Sequence, residues 1–390
     1  MNTKSALLLP ITCLLLGNLL TTATSHAETE QKPRARDLGI PFEGKTGPLN
    51  AITDVQGLEV GHKTVIEGDH IRTGVTSIFP LGKANPRGVR AAISTINGTG
   101  EVTGAHMVKE LGVMFGPVML TNTWGVGTVR NGYLKWVKSN QPEGLRPLFS
   151  LPVIAETSDE GLNDIYGMHL TEAHAQAALN AAAPGPVIEG SVGGGTGMQA
   201  YGFKGGIGTA SRQIVIEGQT YTFGVLVQAN HGDMKNLRIA GVPAGKLLMD
   251  QANQETKRGS DVKNSLIVVI ATDLPFRADQ LERLARRGAL GLGRTGAVGT
   301  NVSGDFVIAF STANPTTFEA RETTSHIAFS AFADMDVIFQ ATVEAVEEAL
   351  INQLVASKDM TANGITVKGI PHKALQKVLA ERGALNKSTK

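Results

Sequence analysis

The sequence predicts an α/β protein in which layers of helices cover buried strands. One observation is a set of apolar, β-branched runs that end abruptly before polar residues, at 91–96, 118–120, 153–155 and 225–227. Near-continuous apolar strands of this kind are covered on both faces. The other is a set of stretches with apolar residues at helical spacing, at 172–183, 278–290 and 334–354. Such helices and strands pack as layers, in an α/β or α+β sandwich.

The boundaries of these elements carry the first functional hints. The four strand runs are followed by Asn97, Thr121, Glu156 and Asn230 respectively. Two further apolar runs, 266–271 and 306–310, follow polar stretches and are predicted to be buried strands. The helix predicted at 334–354 carries glutamates on the face opposite its apolar residues, which is the pattern of an amphipathic helix.

Composition indicates a folded chain with a large core. The chain has 390 residues, of which 42% are hydrophobic, and 36 Lys and Arg balance 35 Asp and Glu. This length permits one big or two ordinary domains. The near-neutral balance argues against nucleic acid and against a basic membrane-binding surface. Glycine is abundant, with 46 residues and no collagen-like period, which predicts close backbone packing and frequent turns.

Residues 1–27 have the pattern of a secretory signal peptide. Lys4 precedes a mostly apolar run at 6–20, and Ser25-His26-Ala27 resembles a small-x-small cleavage site. A membrane anchor is the alternative, but the run is short for the ~20 residues of a span and Asn18 interrupts it. We therefore expect a mature domain of residues 28–390, periplasmic or secreted, with no membrane association after processing.

The single cysteine, Cys13, lies inside this leader. The expected mature chain therefore has no thiol, which excludes disulfides, thiolate metal sites and a cysteine nucleophile together. The nine histidines show no ligand spacing, and His169 and His174 are too poorly spaced to share a helix face. We expect no metal site and no cofactor. The glycine-rich run 191–197 lacks the ending of a phosphate-binding loop and is predicted to be a tight structural loop.

The junction of Asn264 and Ser265 is the most informative point of the chain. A polar stretch at 251–263, predicted to be an exposed loop open to processing, precedes it, and the buried run 266–271 follows at once. A self-cleaving precursor would place its nucleophile here. The Ser265 hydroxyl could attack the preceding carbonyl, and the freed α-amine, with an ordinary pKa of ~8, could then act as a local base. A serine that merely caps a strand is the alternative, and spacing alone favours it.

Other polar residues at strand ends are candidates for the same chemistry. If residues 303–305 are extended, Ser303 and Asp305 share one face and could form a proton network, although a turn is the alternative. Glu156 could bind a substrate ammonium or could simply be solvated. Asn230 could donate a hydrogen bond into an oxyanion hole, or it could cap a turn.

Nine separated motifs occur in an order that resembles one known family. They lie at 52–62, 97–101, 121–127, 155–164, 193–198, 227–232, 264–269, 285–287 and 303–314. Together they span nearly all of residues 34–350. In these motifs the chain resembles the self-processing serine aminopeptidases, the family of β-peptidyl aminopeptidases and L-aminopeptidase/D-esterase-amidases.

The resemblance implies both a fold and a maturation step. The expected fold is a four-layer α/β/β/α sandwich, like that of the Ntn hydrolases in architecture but differently connected. The precursor would cleave itself between Asn264 and Ser265 into an α chain of residues 28–264 and a β chain of residues 265–390. The family also implies a tetramer of such α/β heterodimers.

The resemblance also assigns roles to residues of this chain. Ser265 would be the nucleophile, and Ser303 and Asp305 would complete the catalytic group. Asn230 would stabilise the oxyanion, and Glu156 would bind the free amine of the substrate.

Two positions depart from the family pattern. Asp305 stands where β-peptide-cleaving members tend to carry Glu, so its side chain is one methylene shorter. Ser158 stands where some members carry an aromatic residue whose hydroxyl can donate to the oxyanion. In this chain that donor is missing, so Asn230 becomes the more important candidate for the role.

The function that follows is N-terminal peptidase activity. We expect release of N-terminal residues, β-amino acids first, from short peptides, amides or esters with a free amine. One alternative is an L- or D-amino-acid amidase or esterase with the same machinery. The other is an acyl transferase like ornithine acetyltransferase, which would transfer the acyl group without net hydrolysis.

Overall fold

Two β-sheets form the centre of the fold. The computed structural model describes residues 32–141, 151–252, 264–317 and 335–386. The strands in these ranges are β1 (Glu59–Glu67), β2 (Ile71–Phe79), β3 (Gly88–Gly98), β4 (Val113–Met114), β5 (Val118–Asn122), β6 (Val153–Thr157), β7 (Gln199–Ala200), β8 (Phe203–Lys204), β9 (Gly206–Ile216), β10 (Gln219–Asn230), β11 (Ser265–Thr272), β12 (Gly304–Thr316), β13 (Met360–Ala362) and β14 (Ile365–Val367).

The helices flank these sheets. Within the same ranges they are α1 (Ala105–Leu111), α2 (Val126–Asn140), α3 (Glu172–Asn180), α4 (Ala244–Ala252), α5 (Ala278–Arg294), α6 (Met335–Val355) and α7 (His372–Ala380). In this part of the chain no helix is both long and apolar enough to cross a membrane. The described residues from Pro33 onward belong to one compact unit.

The strand order places the middle of the chain at the centre of the larger sheet. Over the described residues, one sheet has six strands in the order β4-β3-β12-β11-β10-β9, and the other has four in the order β1-β2-β5-β6. β11 pairs antiparallel with β10 and parallel with β12. The first residue of β11 is Ser265, so the predicted cleavage junction lies at the start of a central strand.

The side chains of β11 show that the fold has four layers. Consecutive residues of a strand point to opposite faces of the sheet, and here Val268 belongs to one apolar cluster and Ile267 to another. The first cluster joins the six-stranded sheet to α5 and α6, and the second lies between the two sheets. A third cluster joins the four-stranded sheet to α2 and α3. The order of layers is therefore helix, sheet, sheet, helix, and the four-layer α/β/β/α prediction is confirmed.

The predicted elements are present with small changes of boundary. The apolar runs at 91–96, 118–120, 153–155, 225–227, 266–271 and 306–310 all lie within strands, and the three predicted helices are α3, α5 and α6. The stretch 251–263 differs at its start, because Gln251 and Ala252 belong to α4. The remainder of that stretch and the predicted leader 1–27 lie outside the described residues.

Helix α6 is buried on its glutamate face as well as on its apolar face. Glu344, Glu347 and Glu348 are each less than 9% exposed. Buried carboxylates require partners. Arg212 Nη2 lies 2.8 Å from Glu348 Oε2, and Arg36 donates to both oxygens of Glu348 at 2.7 and 2.8 Å. Burial alone would raise the pKa of Glu348, but the hydrogen bond from Arg36 and the charge of Arg212 lower it overall. The amphipathic pattern did not reveal this internal ion-pair network.

The glycine-rich run is a packing element between the sheets. Residues Gly193–Gly195 form a buried 3-10 helix. A Cβ on Gly194 would lie 2.0 Å from Gln228 Oε1, and a Cβ on Gly195 would lie 2.6 Å from the backbone nitrogen of Ile207. Only glycine allows this approach of backbone to sheet. The run is therefore a tight structural element, as predicted.

Candidate active site

The candidate residues lie close together because the ends of three neighbouring strands, β10, β11 and β12, lie side by side in the large sheet. In the antiparallel ladder of β10 and β11, Asn230 lies opposite Ser265. In the parallel ladder of β11 and β12, Ser265 lies opposite Gly304, which separates Ser303 from Asp305. Four of the residues singled out in the sequence are thus neighbours through strand register alone.

The second sheet contributes the opposite wall of a cavity. A cavity of about 230 Å³ is lined by Thr99, Gly100, Thr123, Glu156, Ser158, Asn264, Ser265 and Val302. Glu156 reaches it from β6, where it pairs with Thr121 of β5. The cavity, here called the Ser265 cavity, therefore brings the hydroxyl of Ser265 and the carboxylate of Glu156 to one space.

Glu156 is held as a preorganised carboxylate. It is 3% exposed. The backbone N–H of Glu101 donates to Oε1 at 3.0 Å, and the hydroxyl of Thr123 donates to Oε2. A Cβ on Gly100 would lie 2.8 Å from Oε1, so a glycine is needed for this approach. A buried carboxylate with both oxygens hydrogen-bonded is not a solvated strand end, and a negative charge in the lining of the cavity attracts cations.

A backbone donor points at the hydroxyl of Ser265. The N–H of Ser158 donates to Ser265 Oγ at 3.1 Å. A donor at this place can stabilise negative charge that develops on Ser265 Oγ as the hydroxyl loses its proton. The side chain of Ser158 replaces the aromatic donor of some relatives, yet its main chain still supplies a hydrogen bond. Sequence reasoning missed this donor because a backbone N–H leaves no mark in the pattern of side chains.

Asn230 is oriented by its own carbonyl oxygen. The side chain is 1% exposed. Its Oδ1 accepts a hydrogen bond from the backbone N–H of Gln199 at 2.8 Å. With the carbonyl end fixed, the NH₂ is the end of the amide that can donate. This is the orientation that an oxyanion role for Asn230 requires.

Ser303 and Asp305 form a hydrogen-bonded pair behind Ser265. Ser303 Oγ donates to Asp305 Oδ1 at 2.7 Å, and Asn97 Nδ2 donates to Asp305 Oδ2 at 2.8 Å. Burial raises the pKa of Asp305 above its ordinary value, although the hydrogen bonds from Asn97 and Ser303 oppose the rise. The side chains therefore bond each other rather than their own backbone. Among the residues that the structure describes, neither hydrogen-bonds to Ser265 Oγ.

Asn264 lies between two cavities. It lines the Ser265 cavity, and it also lines a smaller one with Ser303 and Asp305. Its Nδ2 donates to Thr300 Oγ1 at 2.6 Å. Asn264 thus adjoins the cavity that holds the Glu156 carboxylate and the cavity that holds the Ser303–Asp305 pair.

Asp159, the residue after Ser158, was not singled out in the sequence. It is 1% exposed, and Asn163 Nδ2 donates to its Oδ1 at 3.0 Å. Burial raises the pKa of Asp159 to about 6. The signal that could have found it is its place two residues after the polar end of β6.

Comparison with known proteins identifies the family. A model of peptidase family S58 matches residues 50–367. The chain belongs to peptidase family S58. The β-peptidyl aminopeptidase BapA of Sphingosinicella xenopeptidilytica is 49% identical over 394 residues, which cover 96% of each chain. The β-peptidyl aminopeptidase BapA of Sphingosinicella microcystinivorans is 44% identical over 386 residues, covering 94% of this chain and 96% of that protein.

Solved structures agree with this S58 assignment. The L-aminopeptidase D-Ala-esterase/amidase of Ochrobactrum anthropi, described as a variant of the Ntn hydrolase fold, matches with a TM-score of 0.84 at 44% identity, covering 91% of this chain and 100% of that one. A β-aminopeptidase of a Burkholderia species matches with a TM-score of 0.81 at 41% identity, covering 90% and 99%. This S58 peptidase is therefore a serine aminopeptidase, a hydrolase with a variant of the Ntn hydrolase fold.

Proposed function

We propose that this aminopeptidase releases N-terminal residues, β-amino acids first, from short peptides, amides or esters, with Ser265 as the nucleophile. The observation that carries the proposal is the buried carboxylate of Glu156 in the same cavity as the Ser265 hydroxyl. The curated relatives at 44–49% identity are named β-peptidyl aminopeptidases, which supports the choice of β-residues.

Maturation would begin at the peptide bond between Asn264 and Ser265. The Ser265 hydroxyl attacks the Asn264 carbonyl carbon, and its proton passes to the departing Ser265 nitrogen as the acyl group shifts from N to O. Water then hydrolyses the ester and frees the carboxylate of Asn264. The products are the α chain 28–264 and the β chain 265–390, whose first residue now carries an α-amine. Proximity within one chain supplies most of the rate advantage of such a step.

Substrate hydrolysis would use the same hydroxyl a second time. Ser265 Oγ attacks the substrate carbonyl, and its proton passes to the α-amine of Ser265 or through Ser303. Asn230 and backbone N–H groups donate to the oxyanion, and one such donor is typically worth about 3 kcal/mol. The N–H of Ser158 donates to Ser265 Oγ. The amine or alcohol product leaves with the proton, and water then hydrolyses the acyl-enzyme.

Glu156 would select substrates that have a free N-terminus. The N–H of Glu101 and the hydroxyl of Thr123, both neutral donors, hold the carboxylate in place for a substrate ammonium. The resulting contact is a charge-assisted hydrogen bond in a buried site. N-acetylated substrates should therefore be poor. Comparing hydrolysis of a β-homo-amino-acid amide with that of its N-acetyl derivative tests this step, and equal rates would contradict it.

Two alternatives concern the acyl group and its acceptor. An L- or D-amino-acid amidase is supported by Asp305 in place of Glu and by the name of the Ochrobactrum relative. Rates on β-homo-amino-acid amides against L- and D-alanine amides decide between them. Acyl transfer to an amine acceptor without net hydrolysis would favour the transferase alternative.

We further propose a tetramer of α/β heterodimers in the periplasm or medium, acting on small substrates rather than on nucleic acid or a membrane. The leader pattern supports export, the charge balance supports small substrates, and the tetramer is what the family resemblance implies. N-terminal sequencing of exported protein should begin within a few residues of Glu28. A membrane-embedded chain that still begins at Met1 would contradict it.

A further inference from the structure

Three side chains with metal-ligand atoms meet at the turn between β1 and β2, outside the Ser265 cavity. They are His70, in the turn, and Asp164 and His169, which flank the 3-10 helix Ile165–Gly167. One ligand atom from each lies within 4.8 Å of the other two. Asp164 Oδ2 lies 2.9 Å from His169 Nε2, and the rings of His70 and His169 are 5.7 Å apart between centroids.

The main chain fixes these residues relative to one another. The N–H of Asp164 donates to the carbonyl of His70 at 2.8 Å, which ties the two segments together. The N–H of Gly167 donates to Asp164 Oδ1 at 3.3 Å. A Cβ on Gly167 would lie 2.2 Å from His169 Nε2 and 2.4 Å from Asp164 Oδ2, so the absence of a side chain there leaves the space beside both ligand atoms open.

A further carboxylate orients His70. Asp69 Oδ1 lies 2.9 Å from His70 Nδ1, which leaves Nε2 as the ring nitrogen that can bind a metal. Metal-binding histidines usually have such a carboxylate or carbonyl on the other ring nitrogen. The neighbouring cation, Arg72, donates instead to backbone carbonyls, among them those of Gly68 and Thr361.

We propose that His70, Asp164 and His169 bind a divalent transition metal ion, with Zn²⁺ as the best match. Two imidazoles and one carboxylate suit Zn²⁺, whereas Mg²⁺ and Ca²⁺ prefer oxygen ligands. Zn²⁺ bonds of ~2.0–2.1 Å place tetrahedral ligand atoms about 3.3 Å apart, so separations of 2.9 to 4.8 Å require adjustments of up to about 1.5 Å. The side chains are 25–44% exposed, which gives an ion an entry path and leaves room for a water ligand.

The role that follows is structural. None of the three residues lines the Ser265 cavity. A bound ion would tie the β1–β2 turn to the segment that runs from Ser158, the donor to Ser265, through Asp164 to His169. Zn²⁺ should therefore raise the midpoint of thermal unfolding without becoming part of the hydrolytic step.

The test is Zn²⁺ binding to the full, tag-free protein, measured by equilibrium dialysis in the presence of millimolar Mg²⁺ and Ca²⁺. We expect one Zn²⁺ per chain. His70→Gln and His169→Gln should each weaken binding by more than about 100-fold, and Asp69→Asn by about 10- to 100-fold, the usual effect of losing an outer partner. Glutamine keeps a hydrogen-bonding group at each position, so folding should be preserved, and circular dichroism checks this.

His106→Gln is the matched control, because His106 is an exposed histidine on α1 away from the cluster. It should leave both Zn²⁺ affinity and the thermal shift unchanged. Absence of binding to the wild type would overturn the proposal. So would binding that persists in folded His169→Gln, or binding that His106→Gln weakens as much as the cluster variants do.

Discussion

Replacing Glu156 by Gln is expected to weaken recognition of the substrate amine without disturbing the fold. The glutamine carbonyl can still accept the N–H of Glu101, and its NH₂ can donate to the hydroxyl of Thr123, which is able to accept as well as donate. The hydrogen bonds with Glu101 and Thr123 therefore each have a substitute. What is lost is the negative charge in the Ser265 cavity.

The size of the effect follows from the contact that would be lost. A hydrogen bond to a charged group contributes about 1.5–3 kcal/mol, which corresponds to a fall in kcat/KM of about 10- to 150-fold. Most of it should appear in KM, because the ammonium is bound in both the ground state and the transition state. Self-cleavage involves no substrate amine and should proceed nearly as in the wild type.

The assay compares wild type and variant on one amine-bearing amide and on its analogue without the amine. The variant should lose activity on the first and be nearly unchanged on the second. Glu101→Gln is the matched control. It removes an equal negative charge from an exposed side chain nearby, and it leaves in place the backbone N–H of residue 101 that donates to Glu156. Equal losses on both substrates, or no loss on either, would refute the role of Glu156.

Three further changes test the surrounding groups. Ser303→Ala should slow hydrolysis by ~10²–10⁴ if Ser303 relays the proton, and single-turnover kinetics would measure it; an unchanged rate would exclude the relay. Asp305→Glu restores the longer side chain of β-peptide-cleaving relatives and should shift the ratio of rates on β- and α-amino-acid amides; an unaltered ratio would mean that Asp305 carries no specificity. Asp159→Asn should increase stability at pH 7 by up to about 3 kcal/mol, measured by urea unfolding.

The sign of the Asp159 effect comes from its raised pKa. A carboxyl whose pKa is about 6 in the folded chain and near 4 in the unfolded one favours folding when protonated. This contribution is complete below pH 4 and is lost as the pH rises through 6. Wild type and Asp159→Asn should therefore converge in acid and diverge at neutral pH. Parallel curves across that range would show that the carboxyl does not titrate there.

The sequence predicted those parts of the site that depend on strand register. Asn230, Ser265 and Asp305 each stand at the polar end of an apolar strand, and neighbouring strands bring such ends to one edge. The four-layer fold was predicted from the family resemblance, because periodicity alone leaves the order of layers open. The candidate nucleophile was likewise singled out by its place before a buried strand, although spacing alone favoured a capping role.

The remaining features depend on contacts that no local pattern records. The donor at Ser158 and the donor at Glu101 are backbone groups, so their residue types carry no signal. The burial of Glu348 depends on Arg212, which comes from a distant strand. The sequence also predicted no metal site, because His70 is far along the chain from His169 and only tertiary structure brings them together.

We propose that Ser265 cleaves its own chain and then hydrolyses substrate. Denaturing electrophoresis with intact-mass measurement of the wild type and Ser265→Ala tests both steps. The wild type should give two chains, 28–264 and 265–390, formed at a first-order rate independent of protein concentration, whereas Ser265→Ala should remain one chain without peptidase activity. A Ser265→Ala protein that still separated into these two chains would show cleavage by another protease, and one that still hydrolysed substrate would contradict the account.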